Sequence, residues 1–376
     1  MISRRHFSLT LGAAATLGGF GIARAQGEAP LVLGQSAPFT GPAAQLGIQF
    51  HQGAKVYLDQ YNAQPGRRNA VIIKNLDDGY EPDRCAANTQ KLIDEEVFAL
   101  FGYIGTPTSL AALPLAVKDK VPFIAPFTGA MSLREPFHKN VFHLRASYND
   151  ETALMVKQLT HLGLKKIAVF YQNDAYGKAG LDGVTLALSQ QELKPVALAT
   201  VERNSADVAQ AVKTLVAARP DAVVQVGAYK ACAAFIREAR KAGYGGTFIN
   251  MSFVGTQALA EELGKDAAGV MVTQVVPSPY NPANAITREF VEAVRKAGGG
   301  ASANFSSMEG YLAAKVLTEG LRKAPGKATR ENLIAGLESI DRQQFGGFEV
   351  SFSAKSHVAS KFVELSMLTG DGRVRT

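Results

Sequence analysis

Hydroxyl groups and backbone amides, rather than acids and bases, are the chemistry this sequence concentrates. Three short segments carry them: residues 36–42 with Ser36, Thr40 and Gly41, residues 102–109 with Thr106, Thr108 and Ser109, and residues 126–130 with Thr128 and Gly129. Each stands where a short apolar run gives way to a helical stretch, so its free N–H groups and hydroxyls suit a carboxylate or another anion. Ser and Thr are also good helix caps in their own right, and for a single segment that plainer reading is the stronger one. Three such segments in succession bring the two readings level. Catalytic constellations, by contrast, are missing. The six histidines (His6, His51, His138, His143, His161, His357) lie apart, without metal-ligand spacing. No nucleophile elbow, phosphate-binding loop or dinucleotide fingerprint occurs, and Ser36, Ser252 and the Gly177-Lys178 pair have the wrong neighbours for one. A hydrolase would therefore lack a visible nucleophile–base pair.

The elements that must position those segments alternate. Strands are expected over 31–36, 71–77, 99–102 and 122–125, separated by helices over 43–62, 82–96 and 109–119. The series restarts after Arg145, with helices over 151–162, 177–190, 208–217 and 230–242 and strands over 167–171, 196–201, 222–226 and 247–251. Short apolar strands joined by helices mean parallel sheets covered on both faces, an α/β fold. Further helices are expected over 285–296 and 307–323, and the tail 345–368 reads as strands around a turn. In such sheets ligands bind beyond the carboxyl ends of the strands, where the three hydroxyl-rich segments fall.

The chain has 376 residues, of which 47% are hydrophobic and 19% charged, and its mean hydropathy is zero. That is too long for one simple core and too apolar for disorder, so two lobes are expected. The formal charge of +7 is uneven: residues 1–26 hold Arg4, Arg5 and Arg24 and no acid, leaving 37 basic and 33 acidic residues, or +4. No basic stripe suggests nucleic acid. Residues 1–26 read as a cleaved export signal: a basic start, an apolar run over 7–22, then Ala23-Arg24-Ala25. Ser3-Arg4-Arg5-His6-Phe7 resembles the twin-arginine motif, although an ordinary secretory signal fits too. Cys85 and Cys232 fall in different lobes, where burial as small apolar residues is expected over pairing.

Residues 31–34 (Leu31-Val32-Leu33-Gly34), the loop 39–47 (Phe39-Thr40-Gly41-Pro42 onward), Asp77-Asp78-Gly79-Tyr80-Glu81-Pro82 and Asn173-Asp174-Ala175-Tyr176-Gly177 together resemble the type I periplasmic solute-binding proteins of ABC importers, in the branched-chain (Leu/Ile/Val) amino-acid-binding group. The resemblance covers the whole mature chain. It implies two Rossmann-like three-layer lobes joined by a three-stranded hinge and closing on a ligand. The expected division is 27–146 with 276–344 for the N-terminal lobe and 147–275 with 345–376 for the C-terminal lobe. It further implies a carboxylate held by Thr106 and the backbone of Phe127, Thr128 and Gly129, with Tyr176 and Tyr229 walling the cleft. Each tyrosine would equally serve core packing.

Three departures from the family pattern stand out. Ser252 replaces a glutamate that would meet the ligand ammonium, and a neutral hydroxyl cannot offset a buried charge. Gly129 stands where a threonine is frequent, with Thr128 as substitute. Tyr80 and Gly105 replace paired cysteines found in some members. Either another acid, Asp174 or Glu309, supplies the counter-charge, or the ligand has no amine; Glu309 also suits a helix start electrostatically. The expectation is a periplasmic, monomeric, non-enzymatic protein with no cofactor and no metal. It captures a hydrophobic or branched-chain amino acid, or an aliphatic or aromatic carboxylate without an amine, for a membrane permease. A sensor that docks on a receptor is the alternative of another class.

Overall fold

The computed structural model describes residues 28–67 and 69–376; the export signal read in residues 1–26 lies outside them. The first lobe is laid down as β1 (Glu28–Ala37), α1 (Ala44–Ala63), β2 (Asn69–Asp77), α2 (Pro82–Asp94), β3 (Ala99–Phe101), α3 (Thr106–Lys118), β4 (Phe123–Ile124) and β5 (Val141–Phe142). Its strands form one parallel sheet in the order β2-β1-β3-β4-β5. Pro82 opens α2, where its missing N–H costs nothing. Helix α3 begins three residues before the expected 109 because Gly105 turns the chain and Pro107 fits the first helical turn.

The second lobe follows as α4 (Tyr148–His161), β6 (Ile167–Gln172), α5 (Ala175–Ser189), β7 (Leu198–Val201), α6 (Ala209–Ala217), β8 (Ala222–Val226), α7 (Tyr229–Lys241), β9 (Thr247–Asn250), α8 (Thr256–Leu263) and β10 (Met271–Gln274). Helix α4 starts in a capping box, Ser147 with Asp150, and Asp174 caps α5. Every residue of β8 is buried, as expected of a strand covered on both faces.

The chain then returns through α9 (Ala285–Ala297), α10 (Phe305–Lys323) and α11 (Arg330–Glu338), followed by β11 (Gln343–Phe345), β12 (Phe348–Val350), β13 (Glu364–Leu368) and β14 (Val374–Arg375). Helix α10 packs along α1 of the first lobe. The two come very close: a Cβ on Gly53 would lie 1.8 Å from the Ser307 carbonyl oxygen, and one on Gly310 2.0 Å from that of Phe50. Glycine at both points lets backbone meet backbone, and this fixes the first turns of α10, with Glu309, over the sheet.

The second sheet has the order β14-β13-β10-β9-β8-β6-β7, with β13 and β14 antiparallel to their neighbours. The tail expected as strands around a turn does hold strands, but in different sheets: β12 pairs with β11 and β13 with β10. Phe352 stacks edge-on against Phe142 at 5.2 Å, and Val358 bridges to His143 beside β5. Residues 352–359, which the sequence reading gives to the C-terminal lobe, therefore pack beside the first sheet, and β11 and β12 form a small sheet of their own. The chain reaches the second sheet only at Glu364.

Candidate ligand-binding cleft

The loops after β1, β3 and β4 face those after β6, β8 and β9. The first loop spends its own donors. The Asp77 carboxylate accepts the amides of Phe39 (2.8 Å), Thr40 (3.1 Å) and Gly79 (3.1 Å) and the Thr40 hydroxyl (2.7 Å). Burial opposes this charge, but the four donors outweigh it and hold the group at about 2. Ser36 donates to the buried Asp78 (2.8 Å), whose carboxyl burial pushes up to about 6. Residues 36–42 are thus tied to Asp77 and Asp78, which occupy the Ser36, Phe39 and Thr40 donors.

The second and third loops meet. Thr106, the first residue of α3, has its hydroxyl 2.7 Å from that of Thr128, and both residues are fully buried. Gly105 precedes it at φ +97° and provides no side-chain cap, so the first-turn amides of α3 keep their partial positive charge. The Tyr80 ring lies over Gly105, where a Cβ would come within 2.3 Å of it. The Tyr80 hydroxyl accepts from Gln172 of the second lobe at 3.2 Å.

In the third loop the amides of Phe127 and Thr128 bond the carbonyls of Tyr103 (2.7 Å) and Pro126 (2.8 Å). Thr128 Oγ1 accepts the amide of Ala130 at 3.2 Å. The buried Arg134 donates to the carbonyls of Thr128, Ala130, Arg145 and Ala146 at 3.0–3.4 Å, tying the loop to the passage into α4.

Across the cleft, Tyr148 and Tyr176 are fully buried; the Tyr148 hydroxyl is turned to the Thr128 side chain, and the Tyr176 hydroxyl has no hydrogen-bond partner among the described residues. Burial pushes the Tyr148 phenol up to about 12, with the Arg145 charge pulling the other way. Gly129 holds Tyr148 closely: its carbonyl takes the Tyr148 amide at 2.8 Å, and a Cβ there would sit 2.5 Å from the ring. Phe253 joins the walls, with ring centroids 4.4 Å from Tyr176, 5.8 Å from Phe127 and 5.9 Å from Tyr80. Tyr229 stands apart, at the rim. Its hydroxyl accepts the Gln45 amide at 3.4 Å, and its ring lines a recess of about 420 Å³ with Gly41, Gln45 and Glu261.

Ser252 and Glu309 converge on a residue the sequence reading passed over. Arg145 is buried and grips both Glu309 oxygens, Nε to Oε1 at 2.8 Å and Nη2 to Oε2 at 2.6 Å. Its Nη1 donates to Ser252 Oγ at 3.1 Å, and its guanidinium lies 3.9 Å above the Phe127 ring. Burial would lower the Arg145 pKa, but Glu309 reverses that and raises it. Behind Ser252, the buried Glu151 accepts its amide (2.9 Å), its hydroxyl (3.0 Å) and the hydroxyl of Thr273. Burial raises the Glu151 pKa against Arg145 and these donors. Asp174, the other acid weighed for the ligand, caps α5 through the amides of Tyr176 and Gly177 and takes Gln172 Nε2 at 2.6 Å.

The lobes also meet at the edge farthest from β5. Glu81 after β2 binds Arg203 (2.9 Å) and Asn204 (2.7 Å) after β7. Thr106, Phe127, Thr128, Gly129 and Tyr176 are thus brought together around Phe253 and Tyr148, Ser252 and Glu309 sit beside them through Arg145, and Tyr229 is at the margin. Arg145 follows Val141-Phe142-His143-Leu144, apolar but for His143, and a lone arginine there is the one signal that marks it in the sequence. Glu151 is indistinguishable from an ordinary helix-start acid.

Two α/β lobes whose strand-end loops meet through Tyr80 and Gln172, Phe127 and Phe253, and Glu81 and Arg203 have the build of a two-lobed solute-binding protein, with no helix among the described residues long and apolar enough to cross a membrane. The family described as "Periplasmic binding protein" matches residues 30–372, and the chain belongs to it. It is 27% identical to "Leu/Ile/Val-binding protein homolog 7" of Brucella suis over 335 residues, 85% of this chain and 82% of that one. Among solved structures, a possible leucine/isoleucine/valine-binding protein from Rhodopirellula baltica superposes with a TM-score of 0.89 at 34% identity, covering 93% of this chain and 96% of its own. A substrate-binding periplasmic protein from Ralstonia solanacearum gives 0.85 at 29%, covering 92% and 99%. These are type I periplasmic binding proteins of the Leu/Ile/Val-binding kind, a family of non-enzymatic solute carriers in transport.

Proposed function

We propose that the protein is the capture component of an ABC importer, closing two lobes on a small organic acid with an apolar tail for delivery to a permease. The observation that carries this reading is the pairing of the Thr106 and Thr128 hydroxyls at the uncapped start of α3, faced by the hydroxyls of Tyr148 and Tyr176. A carboxylate gains charge-assisted bonds from such donors and from the helix terminus. Tyr80, Phe127, Tyr176 and Phe253 would enclose the tail, and the amide of Gly129 is a further donor. The lobes would divide at 146–147 and 275–284, with the last passage at 360–363. Branched-chain amino acids, the ligands in the relatives' names, are carboxylates with apolar tails and fit the same donors. Calorimetry of the mature protein against aliphatic and aromatic acids should find a member with micromolar affinity, about −8 kcal/mol. Silence across both acid series would contradict the reading.

A further inference from the structure

The acids nearest the Thr106–Thr128 pair and Ser252 are engaged. Glu309 gives both oxygens to Arg145. Glu151 is filled by Ser252 and Thr273. Asp174 is held by two amides, Gln172 and Arg203, and Asp78 by Ser36 and the Tyr80 amide. Glu81, at the edge, is held by Arg203 and Asn204. A bound ammonium would need one of these carboxylates, because a buried unpaired cation is costly.

What faces the cleft between the Thr106–Thr128 pair and the second lobe is instead Arg145, over Phe127, with the Ser252 hydroxyl beside it. That hydroxyl has one proton, directed at Glu151, and one lone pair already taken by Arg145. It offers an ammonium a neutral oxygen held between the Arg145 guanidinium and a Glu151 carboxylate that already takes three donors. At these separations a like charge repels, and the low-dielectric surroundings strengthen the effect.

We infer that Arg145 is the specificity-determining residue of the cleft: by neutralising Glu309 and engaging Ser252 it excludes an α-ammonium, so the substrate class is organic acids without an amine. This rests on the carboxylate reading of the Thr106–Thr128 pair. Exclusion is by charge, not by size, and that separates it from a merely tight fit. A 2-hydroxy acid matches the amino acid in shape but carries no cation; its hydroxyl can accept from Arg145 or donate to Ser252 Oγ.

The test is titration calorimetry of the mature wild-type protein in two series: 4-methylpentanoate, 2-hydroxy-4-methylpentanoate and leucine, then 3-phenylpropanoate, 3-phenyllactate and phenylalanine. In the series that binds, the hydroxy acid is expected to bind at least about tenfold more tightly than the amino acid, a difference of about 1.4 kcal/mol. Equal or tighter binding of the amino acid overturns this inference and leaves the carboxylate reading standing. Failure of every acid overturns both. Two variants add a test of sign. Glu309→Gln leaves the guanidinium uncompensated and should widen the hydroxy-to-amino ratio, whereas Arg145→Gln frees the Glu309 carboxylate and should narrow it about tenfold or more. A purely structural role would weaken both ligands equally and leave the ratio unchanged. Should Arg145→Gln fail to fold, the wild-type pair and Glu309→Gln decide the matter.

Discussion

Replacing Thr106 by Val removes one oxygen and little else. The side chain keeps its shape and β-branching, and it stays at the first position of α3, where the hydroxyl does not cap the helix. The hydroxyl has one protein partner, Thr128 Oγ1 at 2.7 Å, and Thr128 retains the Ala130 amide at 3.2 Å. The folded protein therefore loses one neutral hydrogen bond, about 0.5–1.5 kcal/mol, and its melting temperature should fall by only a few degrees. The ligand loses more. A hydrogen bond to a charged group is worth about 1.5–3 kcal/mol, so Kd should rise about ten- to hundredfold. Thr106→Ser restores the oxygen and should return most of the affinity. Calorimetry with the acid that binds best, beside thermal melts of each variant, separates the two effects. If Thr106→Val melts lower but binds like the wild type, the hydroxyl is a packing partner of Thr128 and the carboxylate has been placed wrongly.

Two further outcomes follow from the loops that shape the cleft. Gly105→Ala combines a left-handed backbone, φ +97°, with a Cβ 2.3 Å from the Tyr80 ring; strain of this kind costs about 1–3 kcal/mol, so the melting temperature should drop by several degrees, and an unchanged melt would contradict the packing described. Asp78 holds its proton up to about pH 6, against an ordinary 3.8, chiefly through burial. The folded state therefore binds that proton more tightly than the unfolded state does, so the contribution of Asp78 declines as pH rises from about 4 to 6 and is flat above. Asp78→Asn keeps an acceptor for Ser36 and the Tyr80 amide without the charge: it should melt above the wild type at pH 8 and level with it at pH 4, and an offset equal at both pH values would refute the assignment.

Much of this was legible in the chain because parallel α/β folds announce themselves locally. Buried strands such as 222–226 are apolar but for Gln225, and Pro82 marks a helix start by its own chemistry; the caps Asp174 and Asn304 went unread, so α5 and α10 begin two residues before the expected 177 and 307. The segments holding Thr106 and Thr128 stand out because loops at strand ends carry sites in such folds, and the family resemblance is what names the two as ligand contacts. What escaped depends on convergence over long distances. Arg145 meets Glu309 across 164 residues and Ser252 across 107, and nothing local says that a lone arginine after 141–144 will be buried. Glu151 looks like an acid placed to favour a helix terminus, yet it turns inward to Ser252. The first loop was read as an anion site from the same residues as the other two, but Asp77, 37 residues away from Thr40, consumes its donors. The strands of the tail were detected while their partners were not, since periodicity reports a strand and is silent on which edge it joins.

The central claim is that a carboxylate is the group recognised between Thr106, Thr128 and the opposing tyrosines. Titration of the mature protein with 3-phenylpropanoate and 4-methylpentanoate against their primary amides tests it most directly, because each amide keeps the shape and removes the charge. The account predicts that the tighter acid binds with micromolar affinity and its amide at least about a hundredfold more weakly, or about 2.7 kcal/mol. Equal affinity for the acid and its amide would contradict it.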